Sequence, residues 1–289
     1  MKRKSFSEGV VPYLFIIPFL VFFLAFFLYP AVNSLYISFT SYKGYGVAKW
    51  VGLKNYHAIL NYDVFWSELR NVIIYWAMHV GIMMVISFSM AFIVSSPNYD
   101  RLSKYRVILF LPRVIAPTVA ALIFRAVFSE NGLFNTFFHV SVPWFQNELL
   151  TRMVVSFILI WRDFGYWFVV FVAGMTSVSP EIIDASIVDG TNTIQRVFRI
   201  IIPLMKNIIK FALIIDGISS LRLFSIPNII VGQPGAMSPT SIGPVMNLLV
   251  QNIQQGNFGR SSTVGWLLFI VIGILTVIQM TAVKDTEDL

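Results

Sequence analysis

Long apolar runs separated by short polar segments dominate this chain. A helix needs about 20 mainly apolar residues to cross the hydrocarbon core of a bilayer. We predict six transmembrane helices, at residues 12–39, 71–95, 107–128, 153–176, 204–231 and 262–283. The pattern therefore predicts an all-α, polytopic membrane protein whose residues 1–289 form a single transmembrane domain.

The composition favours a membrane protein over a soluble enzyme. Hydrophobic residues make up 57% of the 289 positions and charged residues 12%, whereas about a quarter of a soluble domain is charged. The absence of Cys excludes disulfides and thiol catalysis, and the three His residues lack metal-ligand spacing. The net charge of +7 then indicates loops that face anionic lipid, not nucleic acid.

The distribution of Lys and Arg predicts the orientation of the chain. These residues are more frequent in the N-terminal segment and in the loops near 96–106 and 179–210 than in the other loops. Basic short loops stay in the cytoplasm, so we expect both termini and the segment 179–203 on that side. The first apolar run is too long and too aromatic for a cleaved signal peptide, and we expect it to remain as the first span.

The segment 179–203, between the fourth and fifth spans, has the signals of two short helices joined by a tight turn. Ser179 can cap the first helix and Pro180 can begin it. Gly190 supplies a turn that a residue with a Cβ would resist. Such a unit is either a protruding element that a partner protein binds or an amphipathic helix lying on the lipid headgroups.

The second helix of this segment begins with Asn192 and Gln195, which have the spacing of a capping box. Pro203 marks its end, where the next span begins. The helical period places Ile194, Val197, Phe198 and Ile201 on one apolar face, with Arg196 and Arg199 on another.

Charged residues also fall inside the predicted spans: Arg113, Arg125, Arg162, Asp163, Asp216 and Arg222. Charges at this depth are costly and usually face a bundle interior or a cavity. Arg113 and Arg125 lie near span ends, where a long side chain reaches the interface. Adjacent residues do not face each other on a helix, so we expect Arg162 and Asp163 to pair with other helices. Asp216 and Arg222 share no face of a straight helix.

Aromatic rings together with charged or amide groups provide the chemistry of a sugar site. The candidates in the spans are Trp161, Arg162, Tyr166, Arg222, Phe224 and Asn228. Helix packing explains each of them as well as contact with a solute does. Arg222 and Phe224 are favoured because Pro227 follows them and can unwind the helix, and irregular backbone at membrane depth lines cavities.

The loop at 179–203 resembles the EAA loop of ATP-binding-cassette importer permeases. Asp184-Ala185-Ser186 occupies the Glu-Ala-Ala positions, Gly190 follows after three residues, and Ile200-Ile201-Ile202-Pro203 occupies the closing Ile-x-Leu-Pro positions. WVGLKNY at 50–56, VGQPGAMSPTSI at 231–242 and QGNFGRSSTVGWLLF at 255–269 are similar to segments of the sugar-type permeases. The resemblance therefore covers nearly the whole chain.

This resemblance implies one permease subunit of a type I importer with six spans and a cytoplasmic coupling loop. The partners would be a second, related permease, two ATPase subunits that bind ATP and Mg, and an extracytoplasmic solute-binding protein. The residues expected to couple to the ATPase are Glu181, Asp184, Ala185, Ser186, Gly190 and Pro203. The solute would be a carbohydrate, and the atypical Arg113 and Arg162-Asp163 leave open an acidic sugar; similar importers carry glycerol phosphate.

Other functional classes predict features that differ from these. The sequence contains no G-x-x-x-x-G-K-[ST] phosphate loop, so we expect neither ATPase activity nor a cofactor in this chain. A membrane-embedded enzyme would require clustered acids or a metal site, which the spacing does not provide. A secondary carrier would have inverted repeats and an intramembrane ion site.

Overall fold

The computed structural model describes residues 6–95, 106–232 and 242–282, and these residues are helical apart from loops and one isolated antiparallel bridge between Thr40 and Trp50. The helices are α1 (Phe6–Phe23), α2 (Tyr29–Ser38), α3 (Lys54–Leu60), α4 (Asp63–Val94), α5 (Arg106–Val114), α6 (Pro117–Val127), α7 (Leu133–Phe138), α8 (Glu148–Met175), α9 (Pro180–Val188), α10 (Thr193–Arg196), α11 (Ile202–Leu204), α12 (Lys206–Leu221), α13 (Ser225–Val231), α14 (Met246–Gln254) and α15 (Phe258–Ala282). Two π-helical turns, Leu24–Leu28 and Val197–Ile201, connect α1 to α2 and α10 to α11. The sequence predictions for the basic residues near the N-terminus and in 96–105, for most of 231–242 and for the C-terminal end lie outside the described residues.

Four helices of the described residues are long and apolar enough to cross a membrane as single elements. They are Leu14–Ser38, Asp63–Val94, Glu148–Met175 and Phe258–Thr281, and they overlap the predicted first, second, fourth and sixth spans. The predicted third and fifth spans are not single straight helices. The structure therefore has four such spans, or five when a bent helix pair is counted as one.

Proline determines the bend in the predicted third span. Helices α5 and α6 meet at 96°. Ala116 precedes Pro117 and has an extended backbone, with φ −57° and ψ 138°, because the proline ring disfavours a helical conformation for the residue before it. Pro117 then begins α6, where its missing N–H is not needed.

The predicted fifth span is divided between α12 and α13. Helix α12 ends at Leu221, and Phe224 has a non-helical φ of −143° and ψ of −62°. In a continuous helix the ring of Pro227 would clash with the carbonyl of Leu223, four residues earlier. The break places Pro227 in the first turn of α13 instead. This agrees with the expectation that Pro227 interrupts the helix just after Arg222 and Phe224.

The Cα positions divide the chain into two compact units, and the first comprises Met1–Tyr62 and Leu248–Leu267. Its centre is the chain turn that follows α2. Asn55 Nδ2 donates to the carbonyl oxygens of Ser38 and Thr40 at 2.9 and 2.8 Å, and Thr263 Oγ1 donates to Ser38 at 3.1 Å. A Cβ at Gly259 would lie 2.1 Å from the Thr40 oxygen, so the backbone of α15 approaches this turn as closely as glycine allows.

The second unit comprises Asp63–Asn247 and Leu268–Leu289. Helices α4 and α8 form its centre, and α5, α6, α12 and α13 pack around them. Two apolar clusters fill it, one around Phe168 and Phe171 and the other around Val155, Ile158 and Ile226. Helices α5 and α8 are in close contact because a Cβ at Gly165 would lie 1.8 Å from the carbonyl oxygen of Leu109.

We expect Gly165→Ala to destabilise the protein. The added methyl group would overlap the Leu109 carbonyl, and overpacking of this kind costs about 1–3 kcal/mol. The matched control is Gly81→Ala in α4, where a Cβ would meet nothing within 4 Å. Thermal unfolding of the purified protein in detergent measures the difference, and equal melting temperatures for the two variants would contradict the close approach.

Candidate functional site

The loop helix α9 begins as predicted at Pro180, but Ser179 does not cap it with its side chain. Ser179 is extended, with φ −60° and ψ 129°, and its hydroxyl donates to a carboxylate oxygen of Glu181 instead of accepting from a backbone N–H. This hydrogen bond lowers the pKa of the exposed Glu181 carboxyl. The predicted side-chain cap is therefore wrong, because the Ser179 hydroxyl is oriented toward the Glu181 carboxylate.

Gly190 forms the predicted tight turn at the end of α9. Its φ is +76°, in the left-handed region that residues with a Cβ rarely occupy. The Gly190 N–H donates to Ile187 O at 3.0 Å and the Thr191 N–H to Ser186 O at 3.1 Å. These are the two bonds of a Schellman motif, and they satisfy the last carbonyls of the helix.

The capping box of the second loop helix is present as predicted. The Gln195 N–H donates to Asn192 Oδ1 at 2.8 Å, and the Asn192 N–H donates to Gln195 Oε1 at 3.0 Å. Two adjacent helix ends are thus fixed by local hydrogen bonds on either side of Gly190. The segment is a defined bent element of the fold.

The predicted apolar face of the second loop helix is wrong. Ile201 is buried, but Ile194 and Phe198 are 71% and 67% exposed. The π-helical turn Val197–Ile201 changes the residue spacing, so positions that share a face of an α-helix point in different directions here. The helical segment passes through Pro203 and ends only at Met205, where φ is −93° and ψ is 5°.

The residues proposed for coupling differ in exposure. Ser186 is buried, and its hydroxyl donates to Ile183 O at 2.6 Å. The exposed members are Glu181, Asp184, Ala185, Gly190 and Pro203. Val188, at 87%, is also exposed. The loop therefore presents a mixed acidic and apolar surface, and Ser186 faces the protein.

A cavity of about 230 Å³ lies in the second unit, beside the break between α12 and α13. Helix α4 contributes Tyr75 and His79, α5 contributes Arg113, and α8 contributes Arg162 and Asp163. The remaining polar and aromatic lining residues are Asp216, Ser219, Ser220, Arg222, Phe224 and Ser225. The cavity thus gathers most of the charged residues that the sequence places inside predicted spans.

Asp163 is the acceptor for two arginines in this cavity. Its Oδ1 contacts Arg113 Nη1 and lies 3.4 Å from Arg162 Nη2. The Arg113 guanidinium lies 5.1 Å from the centre of the Tyr166 ring. Arg113 therefore faces the bundle and does not extend to the interface as predicted. Asp163 has the predicted partner on another helix, Arg113 of α5. For Arg162 the prediction is wrong, because its long side chain reaches back to its sequence neighbour Asp163.

Asp216 is contacted by polar side chains from three helices. His79 Nε2 lies 3.1 Å from Oδ2, Trp167 Nε1 donates to Oδ1 at 3.2 Å, and the Ser220 hydroxyl lies 3.4 Å from Oδ2. His79 Nδ1 lies 3.1 Å from the carbonyl oxygen of Tyr75. His79 is not among the residues predicted from the sequence, because its spacing from the other His residues matches no metal site. Its place on a predicted span, four residues after Tyr75, was the available signal.

Three of the six predicted path residues line the cavity: Arg162, Arg222 and Phe224. Asp216 and Arg222 also both line the cavity. On a straight helix they would share no face, but α12 ends at Leu221, before Arg222. The remaining candidates lie elsewhere among the described residues.

Each of these remaining candidates has another position in the fold. Trp161 packs edge-on against Phe124 with ring centres 4.9 Å apart, and the Tyr166 ring lies below Arg113. Asn228 is exposed on α13. Arg125 donates to the carbonyl oxygen of Ile229 at 3.3 Å, in keeping with a structural position.

Comparisons with known proteins agree on one family. Residues 104–285 match the family described as "Binding-protein-dependent transport system inner membrane component". The chain is 29% identical over 285 residues to a probable ABC transporter permease protein YesP of Bacillus subtilis, covering 96% of this chain and 91% of the relative. It is 30% identical over 282 residues to the arabinooligosaccharides transport system permease protein AraP of Halalkalibacterium halodurans, covering 95% and 88%.

A solved structure has the same fold. A chain of a bacterial alginate ABC transporter, crystallised in complex with an alginate pentasaccharide-bound periplasmic protein, aligns with a TM-score of 0.80 and 16% identity. The alignment covers 96% of each chain.

We expect Asp163→Asn to destabilise the second unit. The substitution leaves Arg113 and Arg162 without a carboxylate at membrane depth. Breaking a fully buried ion pair costs about 3–5 kcal/mol of stability. We expect a smaller loss here because Arg113 is partly exposed. The control is Asp63→Asn at the exposed start of α4, which should cost under about 1 kcal/mol. Thermal unfolding in detergent compares them, and a smaller loss for Asp163→Asn than for Asp63→Asn would contradict the pairing.

Proposed function

The chain belongs to the family of binding-protein-dependent transport system inner membrane components, and on that premise we propose that it forms part of the translocation path of an ATP-driven carbohydrate importer. Members of this family are the non-catalytic membrane subunits of ABC transporters and carry no cofactor. The proposal rests above all on one observation, the bent segment α9–Gly190–α10 between long membrane helices. We call this segment the lever.

We infer six passages through the inner membrane. Four are the long single helices, and the other two are the bent pair α5–α6 and the divided pair α12–α13. Both termini and the loop 179–203 lie in the cytoplasm in this arrangement, following the excess of Lys and Arg in those segments.

The proposed partners follow from the family's mode of action. A second, related permease completes the path, two ATPase subunits bind ATP and Mg below it, and an extracytoplasmic binding protein delivers the solute. The exposed acidic and apolar surface of α9 fits a groove of an ATPase subunit. Closure of the ATPase pair then moves the lever as a rigid element and shifts the spans between inward-open and outward-open states.

The carbohydrate assignment is supported by similarity to an arabinooligosaccharides transport system permease protein and to a lactose transport system permease protein. The cavity supplies matching chemistry, with an aromatic face at Phe224 and polar groups at Arg222, Ser219 and Ser225. Glycerol phosphate is the second candidate solute, supported by 27% identity over 290 residues to an sn-glycerol-3-phosphate transport system permease protein UgpA.

Reconstitution tests the proposal against a secondary carrier. The complete complex in vesicles, supplied with binding protein and ATP, should take up an oligosaccharide, and this chain alone should not. ATP-independent uptake by the isolated chain would contradict the importer assignment.

We expect Gly190→Val to uncouple ATP hydrolysis from uptake. Holding valine at φ +76° costs about 1–2 kcal/mol, enough to shift a two-state equilibrium by roughly 5–30-fold. The control is Gly46→Val, which has a similar φ of +73° and likewise meets nothing within 4 Å, but lies outside the lever. Solute transported per ATP hydrolysed is the readout. An unchanged ratio in Gly190→Val, or an equal fall in Gly46→Val, would remove the coupling role from this turn.

A further inference from the structure

The cavity carries an excess of positive charge whichever way its protons are arranged. His79 Nδ1 faces a carbonyl oxygen and must therefore donate a hydrogen. His79 Nε2 faces Asp216 and either donates a second proton to a carboxylate or accepts one from a carboxylic acid. Both arrangements make this pair neutral as a whole. The three lining arginines, Arg113, Arg162 and Arg222, then face one further carboxylate, Asp163.

Arg222 is the cavity arginine whose charge no described residue neutralises. It is exposed, lines the cavity, and its guanidinium has no hydrogen-bond or ion-pair partner among the described residues. Arg162 is half-buried, and its Nε is buried without a partner in the same part of the chain. A guanidinium presents several N–H donors in a fixed fork that matches carboxylate and phosphate oxygens.

We propose that this cavity binds an anionic group on a polyhydroxylated solute, either the carboxylate of an acidic sugar or the phosphate of a polyol ester. The inference rests on the proposed function, because it names the class of solute that the path accepts. An anion would neutralise charge that is otherwise costly at membrane depth. Its oxygens would accept from the N–H groups of Arg222, which is exposed at the cavity.

The dimensions favour recognition of one charged unit. The cavity volume of about 230 Å³ is below the roughly 300–1,000 Å³ of pockets that enclose drug-sized ligands. One sugar ring or a small polyol ester is thus held here, and the remainder of a longer chain extends outside. The half-buried Phe224 ring offers an apolar face for the C–H groups of the ring, and Ser219 and Ser225 offer hydroxyls.

Matched pairs of probes test the inference on the assembled complex without its binding protein, so that the binding protein does not select the solute. One pair is digalacturonate with the neutral disaccharide of the same linkage, galactobiose. The other is sn-glycerol-3-phosphate with glycerol. Ligand-induced shifts of the melting temperature over a concentration series give the affinity for each probe.

At least one anion should bind more tightly than its neutral counterpart. Arg222→Gln should reduce this preference by about tenfold or more, the loss expected when a hydrogen bond to a charged group is removed. Arg222→Lys, which keeps the charge but not the fork, should retain part of it. Arg125→Gln is the matched control, since Arg125 bonds to Ile229 O and does not line the cavity, and it should leave the preference unchanged.

The outcomes separate the two anion sources and the two proposals. Preference for digalacturonate supports an acidic sugar, and preference for sn-glycerol-3-phosphate supports the polyol ester. Equal or tighter binding of the neutral probes would overturn the anion site while leaving carbohydrate import intact. Binding of none of the probes, or an anion preference that persists in Arg222→Gln, would also overturn it. ATP-dependent uptake measured on the same complex decides the proposed function separately.

Discussion

Two buried carboxylates, Asp163 and Asp216, decide how the helices of the second unit pack. A charge in a low-dielectric region must be paired, and truncating one partner leaves the other at high cost. Asp163 therefore ties α8 to Arg113 of α5, and Asp216 ties α12 to His79 of α4 and Trp167 of α8. Apolar packing is non-directional, whereas these contacts have direction, and they give the four helices a defined register.

The same side chains line the cavity, which is bordered by Arg113, Asp163, His79 and Asp216. The break before Pro227 then opens the wall between α12 and α13, so that Arg222 and Phe224 face the space. Polar residues and irregular backbone thus occur together, as expected where a membrane protein lines a water-filled path.

The lever at α9 lies at the end of α8, the helix that also carries Arg162 and Asp163. The Schellman motif at Gly190 and the capping box at Asn192 hold its bend by hydrogen bonds within the segment. In the proposed function, this fixed bend is what passes movement of the segment on to α8 and α12. This arrangement links the proposed ATPase contact to the cavity through elements of one unit.

Local chemistry was predictable from the sequence, and long-range pairing was not. The left-handed Gly190, the capping box and the break near Pro227 all depend on residues within a few positions of each other. The side-chain cap predicted for Ser179 is absent because its hydroxyl is oriented toward Glu181. The apolar face predicted around Ile194 is absent because a π-helical turn changes the residue spacing there. The pairing of His79 with Asp216 joins residues that only the packed helices bring together.

The coupling of lever to cavity is tested most directly by following the accessibility of Ser225, which lines the cavity. The chain has no Cys, so Ser225→Cys provides a single thiol for a membrane-impermeant methanethiosulfonate in a complex with cysteine-free partners. We expect its reaction rate to differ several-fold between the nucleotide-free complex and the complex trapped with ATP and vanadate. A thiol at the exposed Val47 should react equally in both states. The same rate at Ser225→Cys in both states, or no reaction in either, would contradict the coupling of this cavity to the ATPase.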